Sequence, residues 1–168
     1  KAGLGLLSNV PGDEKPVPVI EDTAVDVHDL PAYIAEMNVL LKKYGLYSVH
    51  YAHAGSGELH LRPILDLKTS QGVKLFRTMA EETATLVKKY DGSLSGEHGD
   101  GRLRGEFIPQ MIGERNYKLI KGLKEVWDPG NIFNPGKIVA TPPMDTSLRY
   151  VIDQETKEFD TVLDFSET

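Results

Sequence analysis

Two histidines bracketing a glycine-rich turn constrain this chain more than any other feature. The segment runs Leu46 to His53, then Ala54-Gly55-Ser56-Gly57, then Glu58 to Leu65. Through Glu58-Leu59-His60-Leu61-Arg62 polar and apolar residues alternate, the period of a strand with one buried face. Two such runs joined by glycines make a β-hairpin. With Ser56-Gly57 as a two-residue loop, His53 faces His60 and Tyr51 faces Arg62. Directly opposed residues share a sheet face with Cβ atoms ~4.5–5.5 Å apart. Leu59 and Leu61 then point the other way, into a core. A change of one residue in the loop would break the pairing.

Helical patterns flank the hairpin. From Asp29 to Tyr44 apolar residues recur at Ile34, Met37, Leu41 and Tyr44, widened by Tyr33 and Leu40, and Gly45 supplies a left-handed stop. A second helix is predicted from Ser70 to Tyr90, burying Val73, Phe76, Ala80, Thr83, Val87 and Tyr90. Residues 91–105 hold five glycines and read as an ordered loop. A third helix, Glu114 to Trp127, is expected to bury Tyr117, Ile120, Leu123 and Trp127 until Pro129 stops it. Asp128-Pro129-Gly130-Asn131 and Asn134-Pro135-Gly136-Lys137 are turn signals. Leu148–Asp153 and Phe159–Phe165 could form a late hairpin. The order strand, helix, strand, strand, helix gives an α+β fold, an antiparallel sheet with helices packed on one face, followed by a helical C-terminal segment.

Composition removes whole classes of function. A net charge of −6 leaves no basic surplus to neutralise phosphates, so nucleic acid is a poor partner. Without cysteine the chain can hold no disulfide, thiolate zinc site or iron–sulfur cluster of its own. No apolar run approaches the ~20 residues of a spanning helix. Cytoplasm is the default location.

The chemistry concentrates in two short segments that hold three of the five histidines. Two imidazoles on one face of the hairpin can converge on a divalent metal with Zn–N bonds of ~2.0–2.1 Å. The same spacing also suits two half-exposed surface histidines with no ligand between them. Ser95-Gly96-Glu97-His98-Gly99-Asp100-Gly101 places a carboxylate beside an imidazole, where glycines let the backbone approach closely. A flexible turn with incidental charges is the plain alternative. Adjacent side chains diverge in an extended segment, so separate roles are expected. Glu97 could complete a His, His, Glu set with one position open, and His98 could serve as general base. The glycine spacing fits neither G-x-G-x-x-G nor a P-loop. His28 and His50 read as structural.

On these residues the sequence resembles a known family. His53-Ala54-Gly55-Ser56-Gly57-Glu58-Leu59-His60 is similar to the H-x-G-D-G-N-L-H segment of the FAD-linked oxidase carboxy-terminal domain. That domain occurs in D-lactate, D-2-hydroxyglutarate and glycolate dehydrogenases of the vanillyl-alcohol-oxidase superfamily. Glu97-His98-Gly99 resembles its E-H-G, Asp128-Pro129 through Asn134-Pro135-Gly136-Lys137 its closing D-P…N-P-G-K, and Ile20 to Val25 its amino-proximal strand. The likeness covers about residues 15 to 140.

The resemblance implies a ferredoxin-like cap domain, incomplete here, over residues 1–105, then a helical segment, 106–140, returning toward a flavin domain. Residues 141–168 would be a tail or linker. It implies that His53, His60 and Glu97 bind zinc or manganese, and that His98 takes the hydroxyl proton of a D-2-hydroxy acid while the α-hydride passes to FAD. Asn134 would lie in the segment approaching the flavin. FAD itself would sit mainly in an amino-terminal domain of the same protein, so this chain alone is expected to be colourless and inactive. The longer likeness through Leu61-Arg62-Pro63 is to large proteins with a downstream iron–sulfur module. Electrons would leave to an acceptor protein or quinone, and peripheral association with the inner membrane through that partner is the alternative location.

Departures matter as well. Ser56 and Glu58 stand where the family pattern has Asp and Asn, and the lysine expected just before Asp22 has no counterpart. Arg62 replaces a frequent Asn. Its guanidinium could clamp a substrate carboxylate or pair with an acid of the protein. A metal hydrolase, or a domain that kept the fold without catalysis, are the competing readings. Ester or peptide hydrolysis by this chain would favour the first, and absence of metal binding the second.

Overall fold

The computed structural model of the chain describes residues 9–155 together with Leu7 and Val162. Among the described residues four strands and four α-helices follow in order: β1 (Lys15–Pro16), β2 (Ile20–Ala24), α1 (Leu30–Lys43), β3 (Ser48–His53), β4 (Glu58–Leu65), α2 (Ser70–Lys89), α3 (Ile108–Ile112) and α4 (Glu114–Trp127). The sheet is antiparallel throughout, with β4 central: β3 lies on one side, β2 and β1 end to end on the other. The helices α1 and α2 cover one face, as the sequence order predicts.

That face holds the core. Leu59 and Leu61 project from β4, and Ile20 and Thr23 from β2, against Tyr33, Met37, Leu40 and Leu41 of α1 and Phe76, Met79, Ala80, Ala84 and Val87 of α2. Thr23 satisfies its hydroxyl there by accepting a 2.9 Å bond from Tyr33 Oη. Gly45 ends α1 at φ +67, with Gly45 N donating to Lys42 O and Leu46 N to Leu41 O. Thr69 caps α2, its side chain accepting from Gly72 N at 3.0 Å. Phe107, Ile108 and Met144 are buried with these elements.

Three expectations need correction. The hairpin loop has four residues, a 3-10 turn Ala54–Ser56 followed by Gly57 at φ +73. The register therefore pairs His53 with Glu58 and Tyr51 with His60. The loop takes this form because Gly57 O accepts from Val25 N, and a Cβ at Gly57 would fall 1.9 Å from Val25 O. Only glycine fits there. The slip is two residues, an even number, so His53, His60 and Arg62 remain on one face.

Second, α4 spans the predicted residues but buries none of them: Leu123 and Trp127 are 60% and 79% exposed, and Tyr117 and Ile120 half-buried. Its apolar stripe is present, but no described element covers it. Third, Leu148–Asp153 forms no strand among the described residues. The proposed partner, 159–165, lies outside the described residues except Val162.

Candidate functional site

The face of the sheet away from the helices carries the polar set. Glu58 and His60 of β4, Tyr51 and His53 of β3 and Glu21 of β2 project together, because 58 and 60 alternate with the core leucines and each has its partner opposite. His60 is only 3% exposed despite lying on this face. The Tyr51 ring stacks on it with centroids 4.8 Å apart, and His98 at 5.2 Å. The His53 ring meets it edge-on at 5.2 Å.

The loop 93–101 brings the remaining groups. Ser93 pairs with Ala24 through two backbone bonds, extending β2 sideways. Beside it β2 bulges at Asp22, whose φ of +77 turns the carboxylate toward the loop. That carboxylate accepts 2.9 Å bonds from the backbone N–H of Glu97 and of His98, and another from the Ser95 hydroxyl. Burial alone would raise the Asp22 pKa, but bonds from Glu58, Ser95 and the two amides outweigh it and hold it at about 2. Beneath the loop, buried Arg104 donates to the carbonyls of Gly99 (2.9 Å) and Glu21 (2.6 Å).

Asp22 changes one expectation. The segment Glu97-His98 is folded around a carboxylate rather than extended, so the two side chains converge. Glu97 Oε1 lies 3.2 Å from His98 Nε2, 3.4 Å from His60 Nε2 and 3.6 Å from His53 Nε2. The structure thus brings together four of the residues singled out in the sequence.

Arg62 is on the same face but engaged: its Nε lies 2.7 Å from Glu21 Oε2, and its Nη2 donates to Glu21 Oε1 at 3.0 Å. Of the two roles left open for it, the structure displays the pairing with a protein acid. Tyr51 also donates to Glu21 Oε1, at 2.7 Å. Burial works against the Glu21 charge, but Arg62 and Tyr51 together hold its pKa below the usual carboxylate range. Asn134 sits apart from the cluster, exposed in a turn at φ +46, lining a groove with Gly101, Trp127 and Phe133.

The donor set suits a cation. Ligand atoms of His53, Glu58, His60 and Glu97 all lie within 4.8 Å of one another, and so do those of Asp22, His60, Glu97 and His98. Glu58 Oε1 and His60 Nδ1 are buried without a hydrogen-bond partner, which an all-protein network would not leave so. Burial, the largest influence, lowers the His60 pKa and favours the neutral imidazole that ligates metals. Glu21 Oε1 stands 3.7 Å behind His60 Nδ1, where an outer carboxylate orients a ligating imidazole.

Reasoning from sequence missed Asp22, Glu58 and Arg104. Glu58 carried a usable signal, being two residues before His60 and therefore on its face. Asp22 carried a weaker one, the second of two adjacent acids inside an apolar strand. Arg104 carried no signal of its own.

Fold and site together define an α+β domain that presents a histidine–carboxylate centre on the face of its sheet away from the helices. The family described as FAD linked oxidases, C-terminal domain, matches residues 1–138, and the chain belongs to that family. It is 40% identical over 166 residues to a D-2-hydroxyglutarate dehydrogenase of Pseudomonas putida, covering 94% of this chain and 16% of that protein. To the protein of the same name from Escherichia coli it is 38% identical over 160 residues, with 95% and 16% covered. With glycolate oxidase subunit GlcD of Bacillus subtilis the identity is 27% over 126 residues, 75% of this chain and 27% of that one. The chain therefore spans about one sixth of the length of the dehydrogenases it matches best among these.

Proposed function

We propose that the intact protein carrying this domain is an FAD-dependent dehydrogenase that oxidises a D-2-hydroxy acid to the 2-oxo acid. In this reading His53, His60 and Glu97 hold a divalent cation, zinc or manganese. The observation that carries it is the meeting of three imidazole Nε2 atoms within 3.2–3.6 Å of one carboxylate oxygen of Glu97. When bound, the cation supplies Lewis acidity that lowers the pKa of a hydroxyl reaching it. FAD, when bound by another part of the protein, supplies the hydride acceptor.

The chain's own residues do the rest. His98 is half-exposed beside buried His60, so a substrate hydroxyl can approach it from solvent and give its proton to Nε2. Asp22 fixes the His98 backbone, and stacking on His60 fixes the ring. Such a base contributes ~10²–10⁴-fold. Arg62 attracts the substrate carboxylate, less strongly than a free guanidinium because Glu21 already balances its charge.

Asn134 and the exposed side chains of Trp127, Ile132 and Phe133 face the flavin-carrying domain, since an apolar patch of this kind calls for a cover. The names of the relatives put D-2-hydroxyglutarate first among substrates. An iron–sulfur module elsewhere in the protein, and an acceptor protein or quinone beyond it, complete the proposal on the likeness of the His53–Pro63 segment alone.

The test is anaerobic reduction of the flavin in the intact protein by D-2-hydroxyglutarate, D-lactate and glycolate. Bleaching by one of them, lost in His98→Ala, supports the reading. Absence of bleaching with every 2-hydroxy acid, or full activity in His98→Ala, contradicts it, and ester or peptide hydrolysis in its place would establish the hydrolase.

A further inference from the structure

The carboxyl of Glu58 has no part in that mechanism, yet it is built into the centre. It stands opposite His53 in register, on the face of the cluster. Its side chain is 8% exposed, and its Oε1 is buried with no hydrogen-bond partner, 3.6 Å from His60 Nε2. Gly96 presses the loop against it: a Cβ at position 96 would lie 3.3 Å from Glu58 Cδ. The absence of a side chain there lets Glu97 and Glu58 crowd toward the same point.

We propose that Glu58 Oε1 is a fourth metal ligand, beside His53, His60 and Glu97. The inference rests on the metal reading above. Four ligands at ~2.0–2.1 Å in a tetrahedron keep their atoms ~3.3–3.4 Å apart. The separations here are 3.4 Å for His60–Glu97 and 3.6 Å for both His60–Glu58 and His53–Glu97. The remaining pairs lie within 4.8 Å. A buried carboxyl oxygen with no hydrogen-bond partner is the group a cation would satisfy. With two imidazoles and two carboxylates in place, a substrate's oxygens reach the cation only by enlarging its coordination number.

The experiment compares the intact wild-type protein with Glu58→Gln, using Ser56→Ala in the exposed turn as the control. Glu58→Gln keeps the shape and a donor toward Asp22 but cannot ionise to a carboxylate that binds the cation. Mn²⁺ binding is followed by electron paramagnetic resonance of the free ion, and the Co²⁺ form by its visible d–d bands. The expected result is Mn²⁺ affinity lowered about tenfold or more in Glu58→Gln, with shifted Co²⁺ bands and no change in Ser56→Ala. Affinity within about twofold of wild type, or weakened affinity with unchanged Co²⁺ bands, overturns ligation by Glu58 and leaves the rest of the site standing. Wild-type protein that binds neither ion overturns the metal reading and this inference together. Should Glu58→Gln fail to fold, Glu58→Asp, which keeps the charge but withdraws the oxygen by one methylene, decides by the same two readouts.

Discussion

The bulge at Asp22 is the joint on which the loop 93–101 is hung, and its removal has a calculable effect. Its side chain accepts from three donors in that loop: the Ser95 hydroxyl and the backbone N–H groups of Glu97 and His98, the last two at 2.9 Å. Hydrogen bonds to a charged group contribute ~1.5–3 kcal/mol each. Glu97 and His98 are exposed, so water replaces part of what Asp22→Ala removes. Loss of one such bond net corresponds to ~10- to 100-fold more frequent opening of the loop. The assay is hydrogen exchange by mass spectrometry on the intact protein, reading the peptide over residues 93–101. The expected outcome is acceleration of that order in Asp22→Ala, with the peptide over α2 unchanged. Asp22→Asn keeps one acceptor oxygen and a residue that tolerates positive φ, so it accelerates less. Unchanged exchange over 93–101 in Asp22→Ala would show that Asp22 does not hold the loop. The pH dependence has a definite sign. The folded pKa of about 2 is depressed from 3.8, so the contribution is present above about pH 4. It fades as pH falls from there through 2.

Four further outcomes follow from the same geometry. Tyr33→Phe removes a buried 2.9 Å bond to Thr23 and should lower unfolding free energy by ~0.5–1.5 kcal/mol in denaturant titration. Gly57→Ala forces a Cβ to within 1.9 Å of Val25 O at φ +73, so soluble yield and metal loading should both collapse. Trp127→Ser with Phe133→Ser should reduce flavin content of the purified protein without changing its metal content. Metal loading should fall as pH drops, because protonated ligands release the ion; full occupancy at about pH 4.5 would count against histidine ligation.

Much of the fold was readable from period alone. The helices over 30–43, 70–89 and 114–127 follow the 3.6-residue spacing of their apolar positions, and the hairpin follows alternation from Glu58 to Arg62. Register was not readable, because it depends on Val25 reaching across to Gly57 O, a contact between residues 32 apart in the chain. The site survived that error because parity, not register, decides which face a side chain takes. Convergence of Glu97 and His98 was hidden for the opposite reason. Local backbone preference points them apart, and only Asp22, arriving from a distant strand, wraps the loop. The apolar stripe of α4 marks a face suited to packing, and the period alone does not say whether the described residues pack on it.

If the hairpin imidazoles hold a cation, as proposed, His53 is the place to test it. Its side chain is 60% exposed, so His53→Ala removes a donor without opening the core. Metal analysis of the intact protein after equilibration with Mn²⁺ or Zn²⁺ should find one ion per chain in wild type. It should find at least about tenfold weaker binding in His53→Ala, with thermal unfolding of the metal-free protein unchanged. Equal metal content and affinity in the two proteins would contradict the claim.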